Sequence, residues 1–296
     1  MTTESENEQD LHSLLRCLCD LSDAMKGTHV DESEWLLHAE GLTLKAAYHG
    51  FSALYLARGT SMPELGLNFI DPASIQVVIR SLFEAVLTFN YVFRQPLSPE
   101  DRRLRYDVWR LSGMFYRHRK KPRFDFGKQK LAAERPFIDD LRRSISAHPF
   151  IASMPTRVAR EVLSGKDWLI PAINHNGKYS RPTMIDVAVQ AGLGRQQAFE
   201  TYNQLSGYTH STFASVFQLR QADSAESRSI LYDPVLADAS ISIAVLIRDF
   251  AHLFLPAKEL LDTSPQCSAL VETWLYIGSD PQGEAESDAG EDSYRE

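Results

Sequence analysis

The stretch IQVVIRSLFEAVLTFNYVF, residues 75–93, decides the fold of this chain, because it is a long and strongly apolar segment. Asp71 and Pro72 precede it, in the pattern of a helix N-cap followed by proline at the first helical position. Arg80 and Glu84 are its only charged residues, and a spacing of four places them on one helix face. Burying a charge costs several kcal/mol unless the charge is paired. The pair therefore marks either a structural contact or a functional site.

Similar helix starts recur along the chain. Ser98-Pro99 is followed by two acidic residues, Asp233-Pro234 precedes a second apolar run, and Asp31 with Glu34 has the spacing of a capping box. No stretch alternates apolar and polar residues over the length of a strand. We therefore predict an all-α protein, a single large helical bundle of about 8–10 helices. The predicted helices are 10–26, 31–58, 72–95, 99–120, 128–147, 155–164, 183–191, 195–220, 234–255 and 267–277.

Both ends of the chain are acidic. Residues 1–10 hold four acidic residues, and residues 279–296 hold seven acidic residues and one arginine. Segments with so much charge and so little apolar content do not bury enough surface to fold. We therefore predict two disordered acidic tails, 1–10 and 279–296, around one helical domain at 11–278.

The sequence predicts neither a secretion signal nor a membrane-spanning segment. The N-terminus lacks the basic and apolar regions of a signal peptide, and the run 75–93, the only membrane-span candidate, carries two central charges. The three cysteines, Cys17, Cys19 and Cys267, lack the spacing of a zinc site and suit a reducing compartment as inert thiols. These features predict a cytoplasmic protein without a membrane partner.

Two further helices carry polar residues on one face. His38, Lys45 and His49 lie seven and four residues apart in the predicted helix 31–58. Tyr202, Ser206 and His210 lie at successive intervals of four in the predicted helix 195–220. Helical bundles build sites from side chains on facing helices. Arg80, Glu84, His49, Tyr202, Ser206 and His210 are therefore the first candidates for a catalytic cluster.

A structural interpretation of the same residues stays open. The histidines and Lys45 can be edge residues, and the Tyr-Ser-His series can be a polar seam that fixes helix register. A Ser206–His210 pair suggests an activated nucleophile, but no strained turn or oxyanion hole accompanies it. His49, Glu84 and His210 are the nearest approach to a three-ligand metal site, without the usual ligand spacing. We predict neither a metal nor a cofactor.

These motifs resemble a known group of proteins. The Arg80-x3-Glu84 pair in an apolar helix, the segment Lys45–Gly50 (KAAYHG) and the Tyr202-x3-Ser206-x3-His210 series resemble a bacterial all-helical family of unknown function, over about residues 35–215. That family resembles the HEPN superfamily of toxin–antitoxin and phage-defence systems, which includes many ribonucleases. The resemblance implies a helical fold and a defence role. HEPN ribonucleases use Arg-x4–6-His, and Arg143 with His148 has this spacing as an alternative catalytic pair.

Residues 102–130 are the most basic part of the chain, with eleven basic residues against two acidic ones. Six aromatic residues are interleaved with them, and we expect half of these in the core of an amphipathic helix. Basic groups contact phosphates and exposed aromatics stack on unpaired bases. The predicted contacts to RNA or phosphate are Arg117, Arg119, Lys120, Lys121 and Arg123.

Residues 186–198 resemble a helix-turn-helix, with Ala188 and Gly192 spaced as the tight turn requires. Thr201 falls where the second helix should be apolar, which argues against DNA binding. The first functional hypothesis is a HEPN-like effector that acts on or binds RNA or nucleotide phosphate, in bacterial defence or stress. Whether it is an enzyme, as a ribonuclease or another phosphate-directed hydrolase, stays open.

Two alternatives remain: a non-catalytic module that senses a ligand or binds a protein, and a helix-turn-helix DNA-binding regulator. The partners that these hypotheses imply are RNA or a nucleotide, a protein partner or antitoxin, and a second copy of the chain in a homodimer.

Overall fold

The computed structural model describes residues 5–26, 34–96, 98–174, 176–222 and 224–279, and in these residues the protein is all-α. Thirteen α-helices and four short strands are present in these ranges, so the predicted helical class is confirmed with more helices than expected. The helices are α1 (Glu6–Asp23), α2 (Glu34–Ala57), α3 (Pro72–Phe89), α4 (Pro99–His118), α5 (Asp125–Ala147), α6 (Pro149–Ala152), α7 (Thr156–Leu163), α8 (Met184–Gln190), α9 (Arg195–Thr209), α10 (Phe213–Gln221), α11 (Ala225–Leu253), α12 (Leu255–Asp262) and α13 (Pro265–Gly278).

The strands form two small antiparallel hairpins. Strands β1 (Thr60–Met62) and β2 (Leu67–Phe69) pair through a 3-10 turn at Pro63–Leu65. Strands β3 (Ala172–Ile173) and β4 (Tyr179–Ser180) form the second hairpin. The sequence did not predict these strands, because two or three residues are too few to show an alternating pattern.

The chain divides into two compact units. The first unit comprises the described residues up to Asn90 and those from Met184 onward, and the second unit is Tyr91–Thr183. The second unit and most of the first lie within the span 11–278 that the sequence assigned to one domain, and the first also includes the described residues 5–10 and Ser279.

The core of the first unit is built around α3, which packs against α2, α9 and α11. Ile79 and Phe83 are fully buried, so the apolar run is the core helix that the sequence predicted. Helix α2 approaches its neighbours closely because its inner face carries alanines and Gly50, where a Cβ would lie 2.7 Å from the Leu15 side chain.

The core of the second unit lies between α4 and α5. Leu104, Val108 and Leu111 of α4 and Ile138 and Leu141 of α5 belong to one buried apolar cluster. Asp107 is buried beside them. It accepts hydrogen bonds from Arg103 Nε at 2.9 Å and from Ser144 Oγ at 3.0 Å, which links the two helices.

Of the four predicted N-caps, two are confirmed, one is wrong, and the fourth, Asp31, lies outside the described residues. Asp71 accepts a hydrogen bond from Ala73 N–H, and Ser98 accepts one from Asp101 N–H. Helix α11 begins instead at Ala225, after a capping box between Ser224 and Ser227, so Pro234 lies inside it. Asp233 does not cap a helix, because its carboxylate accepts hydrogen bonds from Ser5 and Asn7 of the N-terminal segment.

Part of the predicted N-terminal tail is helical. Helix α1 begins at Glu6, with Ser5 and Glu8 forming a capping box, so the prediction of disorder is wrong for residues 6–10. Composition alone missed this contact, because the helix is held by Asp233, far away in sequence. Residues 1–4 and 280–296, the rest of the two predicted tails except Ser5 and Ser279, lie outside the described residues.

The helix predicted at 195–220 is two helices. Helix α9 ends at Thr209, and α10 begins at Phe213 after Thr212, which caps it. Ser211 between them has a φ of 51°, in the left-handed region that commonly terminates helices.

Cys17 of α1 and Cys267 of α13 form a disulfide, with their Cα atoms 6.2 Å apart. The prediction of three inert thiols is therefore wrong for this pair, and only Cys19 is free. The spacing of 250 residues gave no sequence signal for the pairing.

Two helical segments in the described part of the chain are long and apolar enough to cross a membrane, Pro72–Arg94 and Glu226–Leu253. In each helix, more than half of the most apolar 18-residue stretch is buried, as in core helices of soluble proteins. Only the first of them was a membrane-span candidate from the sequence, although the second overlaps the predicted helix 234–255.

Candidate functional site

Arg80 joins α3 to α9. Its Nη2 lies 2.8 Å from Glu84 Oε1, and its guanidinium carbon lies 4.0 Å from the centroid of the Tyr202 ring. The Arg80 side chain is 12% exposed whereas that of Glu84 is 50% exposed. Arg80 Nη1 is buried, and no described residue forms a hydrogen bond with it. The structure therefore brings three of the six candidate cluster residues together, as an ion pair covered by an aromatic ring.

The other three candidates take no part in this contact. His49 Nε2 is buried, and no residue in the described part of the chain forms a hydrogen bond with it. Burial, and to a smaller extent the nearby Lys45 charge, lowers the pKa of His49. His210 is exposed at the C-cap of α9, where its backbone N–H donates to the Ser206 carbonyl. No hydrogen bond joins the side chains of Ser206 and His210, both of which are described residues. This geometry lacks the Ser–His contact of an activated nucleophile.

A second polar contact lies between α9 and α11, and the sequence analysis missed it. Asp238 accepts hydrogen bonds from Thr201 Oγ1 and Gln197 Nε2, both at 2.8 Å. Burial raises the pKa of Asp238 to about 6, against the opposing effect of these two hydrogen bonds. Thr201 gave the only sequence signal, as a polar residue at a position that a helix-turn-helix would fill with an apolar one.

The segment that resembles a helix-turn-helix does form two helices joined by a tight turn, with Gly192 at a φ of 97°. Arg248 of α11 fixes the turn, since its Nη2 donates to the Ala191 carbonyl at 2.8 Å and to buried Asp249. Asn90 Nδ2 donates to the other oxygen of Asp249 at 2.6 Å. A Cβ at Gly192 would lie 3.1 Å from Arg248 Nη1. This position therefore favours glycine because of both its positive φ and the close approach of Arg248.

The exposed side of α9 carries little positive charge. Arg195 lies 3.5 Å from Asp186, and Gln196 donates a hydrogen bond to Glu200. Phe199 is the large apolar residue on this side. A recognition helix binds a polyanion, so this composition gives weak support to DNA binding.

Residues 116–126, YRHRKKPRFDF, form the most unusual surface of the second unit, and we call them the basic–aromatic segment. Tyr116, Phe124 and Phe126 are 66%, 79% and 78% exposed. The other three aromatic residues of the 102–130 region are buried or half-buried. This confirms the expectation that half of the six aromatic residues belong to the core. Large aromatic side chains seldom lie exposed as a group unless they have a binding partner.

The predicted phosphate contacts differ in their surroundings. Arg117 forms an ion pair with Glu134 at 2.8 Å, so Glu134 partly neutralises its positive charge. Lys120 Nζ lies 5.0 Å from the centre of the Tyr116 ring, and Arg119 lies 5.9 Å from that of Phe115. Arg119, Lys120, Lys121 and Arg123 are exposed, and the described residues supply none of them with an acidic partner at ion-pair distance.

A cleft of about 340 Å³ lies between α4 and α5 beside this segment, and the sequence analysis missed it. Arg119, Arg135, Arg142 and His118 line it with one acid, Asp139, and apolar side chains. His118 Nε2 lies 3.0 Å from Glu134 Oε2, which fixes the imidazole ring. A spacing of seven puts Arg135 and Arg142 on one face of α5, and this was the available sequence signal.

The alternative pair, Arg143 and His148, has two separate local roles. Arg143 is exposed and forms an ion pair with Asp140 one turn before it. His148 Nδ1 accepts a hydrogen bond from Phe150 N–H at the start of α6, and its Nε2 is buried without a partner. No contact between the two side chains supports a joint catalytic role.

A larger cleft of about 990 Å³ lies between α1, α12 and α13, with the Cys17–Cys267 disulfide in its wall. Arg16 and Asp20 contribute opposite charges to it. Across the described residues, no three His, Cys, Asp or Glu side chains are grouped so as to hold a metal ion.

The fold and these surfaces define an all-α protein of two compact units. No family model, no curated protein and no solved structure matches the chain. The resemblance to HEPN proteins therefore stays a prediction that rests on the sequence motifs alone.

Proposed function

We propose that the protein binds single-stranded RNA, or the phosphate groups of nucleotides, at the basic–aromatic segment and the adjoining cleft of the second unit. The observation that carries the proposal is the exposure of Tyr116, Phe124 and Phe126 among basic side chains.

The first support is electrostatic. The exposed side chains of Arg119, Lys120, Lys121 and Arg123 concentrate positive charge in five residues. Asp125 is the only acidic residue of the segment, and Lys128 Nζ lies 2.9 Å from its carboxylate. Neutralising phosphates with such groups releases counterions, which drives binding and makes it depend on salt.

The second support is the combination of charge with aromatic rings. Stacking of a base on an aromatic side chain contributes about 1–3 kcal/mol and tolerates any base. Duplex DNA offers no unstacked bases, so exposed Phe124 and Phe126 favour a single-stranded ligand.

The third support is the cleft between α4 and α5. Its three arginines have the chemistry for a phosphate group, because a guanidinium donates two parallel hydrogen bonds to phosphate oxygens. His118, held by Glu134, is the titratable group at the cleft that a phosphate-directed hydrolase would use for proton transfer. A ribonuclease activity is thus compatible with this site but is a separate proposal from binding.

The test is a titration of the protein into a fluorescently labelled single-stranded RNA, followed by anisotropy at about 50 and 200 mM salt. We expect Phe124→Ala with Phe126→Ala to weaken binding by about tenfold or more without changing the salt dependence. Lys120→Ala with Lys121→Ala should weaken binding and reduce the slope of log K against log salt by about one to two.

Matched control variants lie elsewhere on the protein. Phe213 of α10 is 82% exposed and stacks on Phe217, and Arg157 of α7 is exposed. Phe213→Ala and Arg157→Ala should bind RNA as the wild type does. Absence of RNA binding, equal binding by all variants, or binding to anionic vesicles in place of RNA would each contradict the proposal.

The other functions have less support. The exposed face of α9 has one arginine paired with Asp186, which disfavours the helix-turn-helix regulator. The cluster around Arg80 has the contacts of a helix-packing element. A role in bacterial defence, an antitoxin partner and a cytoplasmic location remain predictions from the sequence.

A further inference from the structure

Helix α2 has an exposed apolar face opposite the face that it buries. Leu37, Leu44, Tyr48, Phe51 and Tyr55 are 62%, 51%, 62%, 37% and 72% exposed. Its buried side consists mainly of alanines with Thr43, Gly50 and Leu54. A surface helix needs only one apolar face to join its own core, so the second face requires another explanation.

The spacing of the exposed residues is that of a coiled-coil seam. Successive positions alternate between four and three residues apart over about three heptads. They are Leu37, Gly41, Leu44, Tyr48, Phe51 and Tyr55. A seam with this period fits a second helix along its whole length, whereas a globular ligand needs a concave pocket.

The area of the face is sufficient for an interface. A fully exposed large side chain has an area of about 150–250 Å². With the exposed fractions above, the five residues together expose about 500 Å² in one protomer. Two such faces together expose about 1,000 Å², which is the lower limit of the area that a specific interface buries. The longest segment outside the described residues, 280–296, holds no Leu, Ile, Val, Met or Phe and does not match this face.

The charges beside the seam are complementary between two parallel copies. Glu40 lies just before Gly41 and Lys45 just after Leu44, at the two positions that flank a coiled-coil core. In a parallel pair of helices, Glu40 of one copy lies across the interface from Lys45 of the other copy, five residues further along. In an antiparallel pair, Lys45 would instead lie beside Lys45 of the partner subunit, with repulsion between like charges.

We infer that the protein forms a homodimer in which α2 pairs in parallel with α2 of a second copy, through the apolar seam and two Glu40–Lys45 ion pairs. Within one helix, residues five apart do not face each other, so Glu40 and Lys45 of one chain do not form an ion pair with each other. A contact within one chain therefore does not explain this pair of opposite charges. This inference is independent of the proposed RNA site, because it concerns the first unit alone.

The test is the dissociation constant of the full chain, from sedimentation equilibrium. The expected wild-type mass is about twice the chain mass of 33.4 kDa. Glu40→Lys and Lys45→Glu, each alone, should weaken the dimer by about tenfold or more, because each replaces two attractions with two repulsions. The double variant Glu40→Lys with Lys45→Glu should restore the wild-type constant.

Two further variants test the seam itself. Tyr48→Lys should give monomers, whereas Phe213→Lys, a charge at an aromatic of α10 that is even more exposed than Tyr48, should leave the dimer intact. Gly41→Leu should tighten the dimer, since a Cβ at Gly41 meets nothing within 4 Å in the protomer and the leucine completes the seam.

Circular dichroism and thermal unfolding of each variant would exclude loss of folding as the cause. A wild type that remains a monomer, a dimer that persists in Tyr48→Lys, or a charge-swapped double variant that stays weakened would overturn the inference. The last result would indicate an antiparallel pairing or a different partner for α2.

Discussion

At the residue scale, Asp238 shows how burial sets the charge of a group. Its pKa rises from 3.8 to about 6 because burial disfavours the carboxylate more than Thr201 and Gln197 stabilise it. A folded-state pKa above the unfolded value means that the protonated group stabilises the fold at low pH. That stabilisation is complete below about pH 3.8 and is lost as the pH rises through about 6.

We therefore expect the ionisation of Asp238 to lower the free energy of unfolding by on the order of 1–3 kcal/mol as the pH rises from about 4 to 6. Asp238→Asn keeps an oxygen that accepts the two hydrogen bonds and removes the ionisation. The variant should lack this loss and be more stable than the wild type near neutral pH. Urea denaturation across the pH range measures it, with exposed Asp262→Asn as the control.

An unchanged pH profile in Asp238→Asn would contradict the assignment. A variant that is less stable than the wild type at neutral pH would show that the ionised carboxylate is favoured by its two donors, which is the opposite balance.

At the element scale, the contact between α3 and α9 gives a structural meaning to the charged pair in the apolar helix. Arg80 is nearly buried under the Tyr202 ring, and Glu84 extends to solvent. A buried cation is tolerated where an anion and an aromatic face replace its hydration. The arrangement therefore serves the packing of two helices.

A double-mutant cycle of Arg80→Ala and Tyr202→Ala tests this packing. Each change alone should lower the free energy of unfolding by about 2–4 kcal/mol, because each removes buried contacts. Their coupling should be about 0.5–2 kcal/mol, from the cation–π contact. The cycle of Arg80→Ala with Asp262→Asn, at an exposed residue of α12 that pairs with Lys258, is the control and should show coupling near zero. Full stability in Arg80→Ala would refute the packing role.

At the scale of the whole molecule, the disulfide between α1 and α13 connects residues near both ends of the chain. A cross-link over 250 residues removes much conformational freedom from the unfolded chain. Its contribution is greatest in an oxidising environment, since a reducing one opens the bond.

Thiol titration of the unreduced, denatured protein should therefore find one reactive thiol, Cys19, and reduction should raise the number to three. Cys17→Ser with Cys267→Ser should lower the free energy of unfolding by about 3–5 kcal/mol under oxidising conditions. Cys19→Ser should leave it unchanged, because this side chain is exposed and unpaired. Three reactive thiols without reduction would show that the bond does not form in solution.

Local patterns predicted the elements that depend on local chemistry. The apolar run 75–93 and the caps at Asp71 and Ser98 are determined by side chains within a few residues, so the helices they open were found. The interior Pro234 misled the prediction, because tertiary packing of α11 tolerates a proline that local rules assign to a helix start. Helix α1 was missed in part because a distant carboxylate, Asp233, holds its first turn.

The sequence by itself determined the all-α class, the buried core helix and the concentration of basic and aromatic residues at 102–130. Only the tertiary structure decided which aromatics are exposed, which of the six cluster residues meet, and which cysteines pair. The physical reason is that helix formation and capping depend on contacts one turn apart, whereas burial and pairing depend on residues that only folding brings together. The exposed seam of α2 has the same origin, because its spacing is in the sequence and its exposure is not.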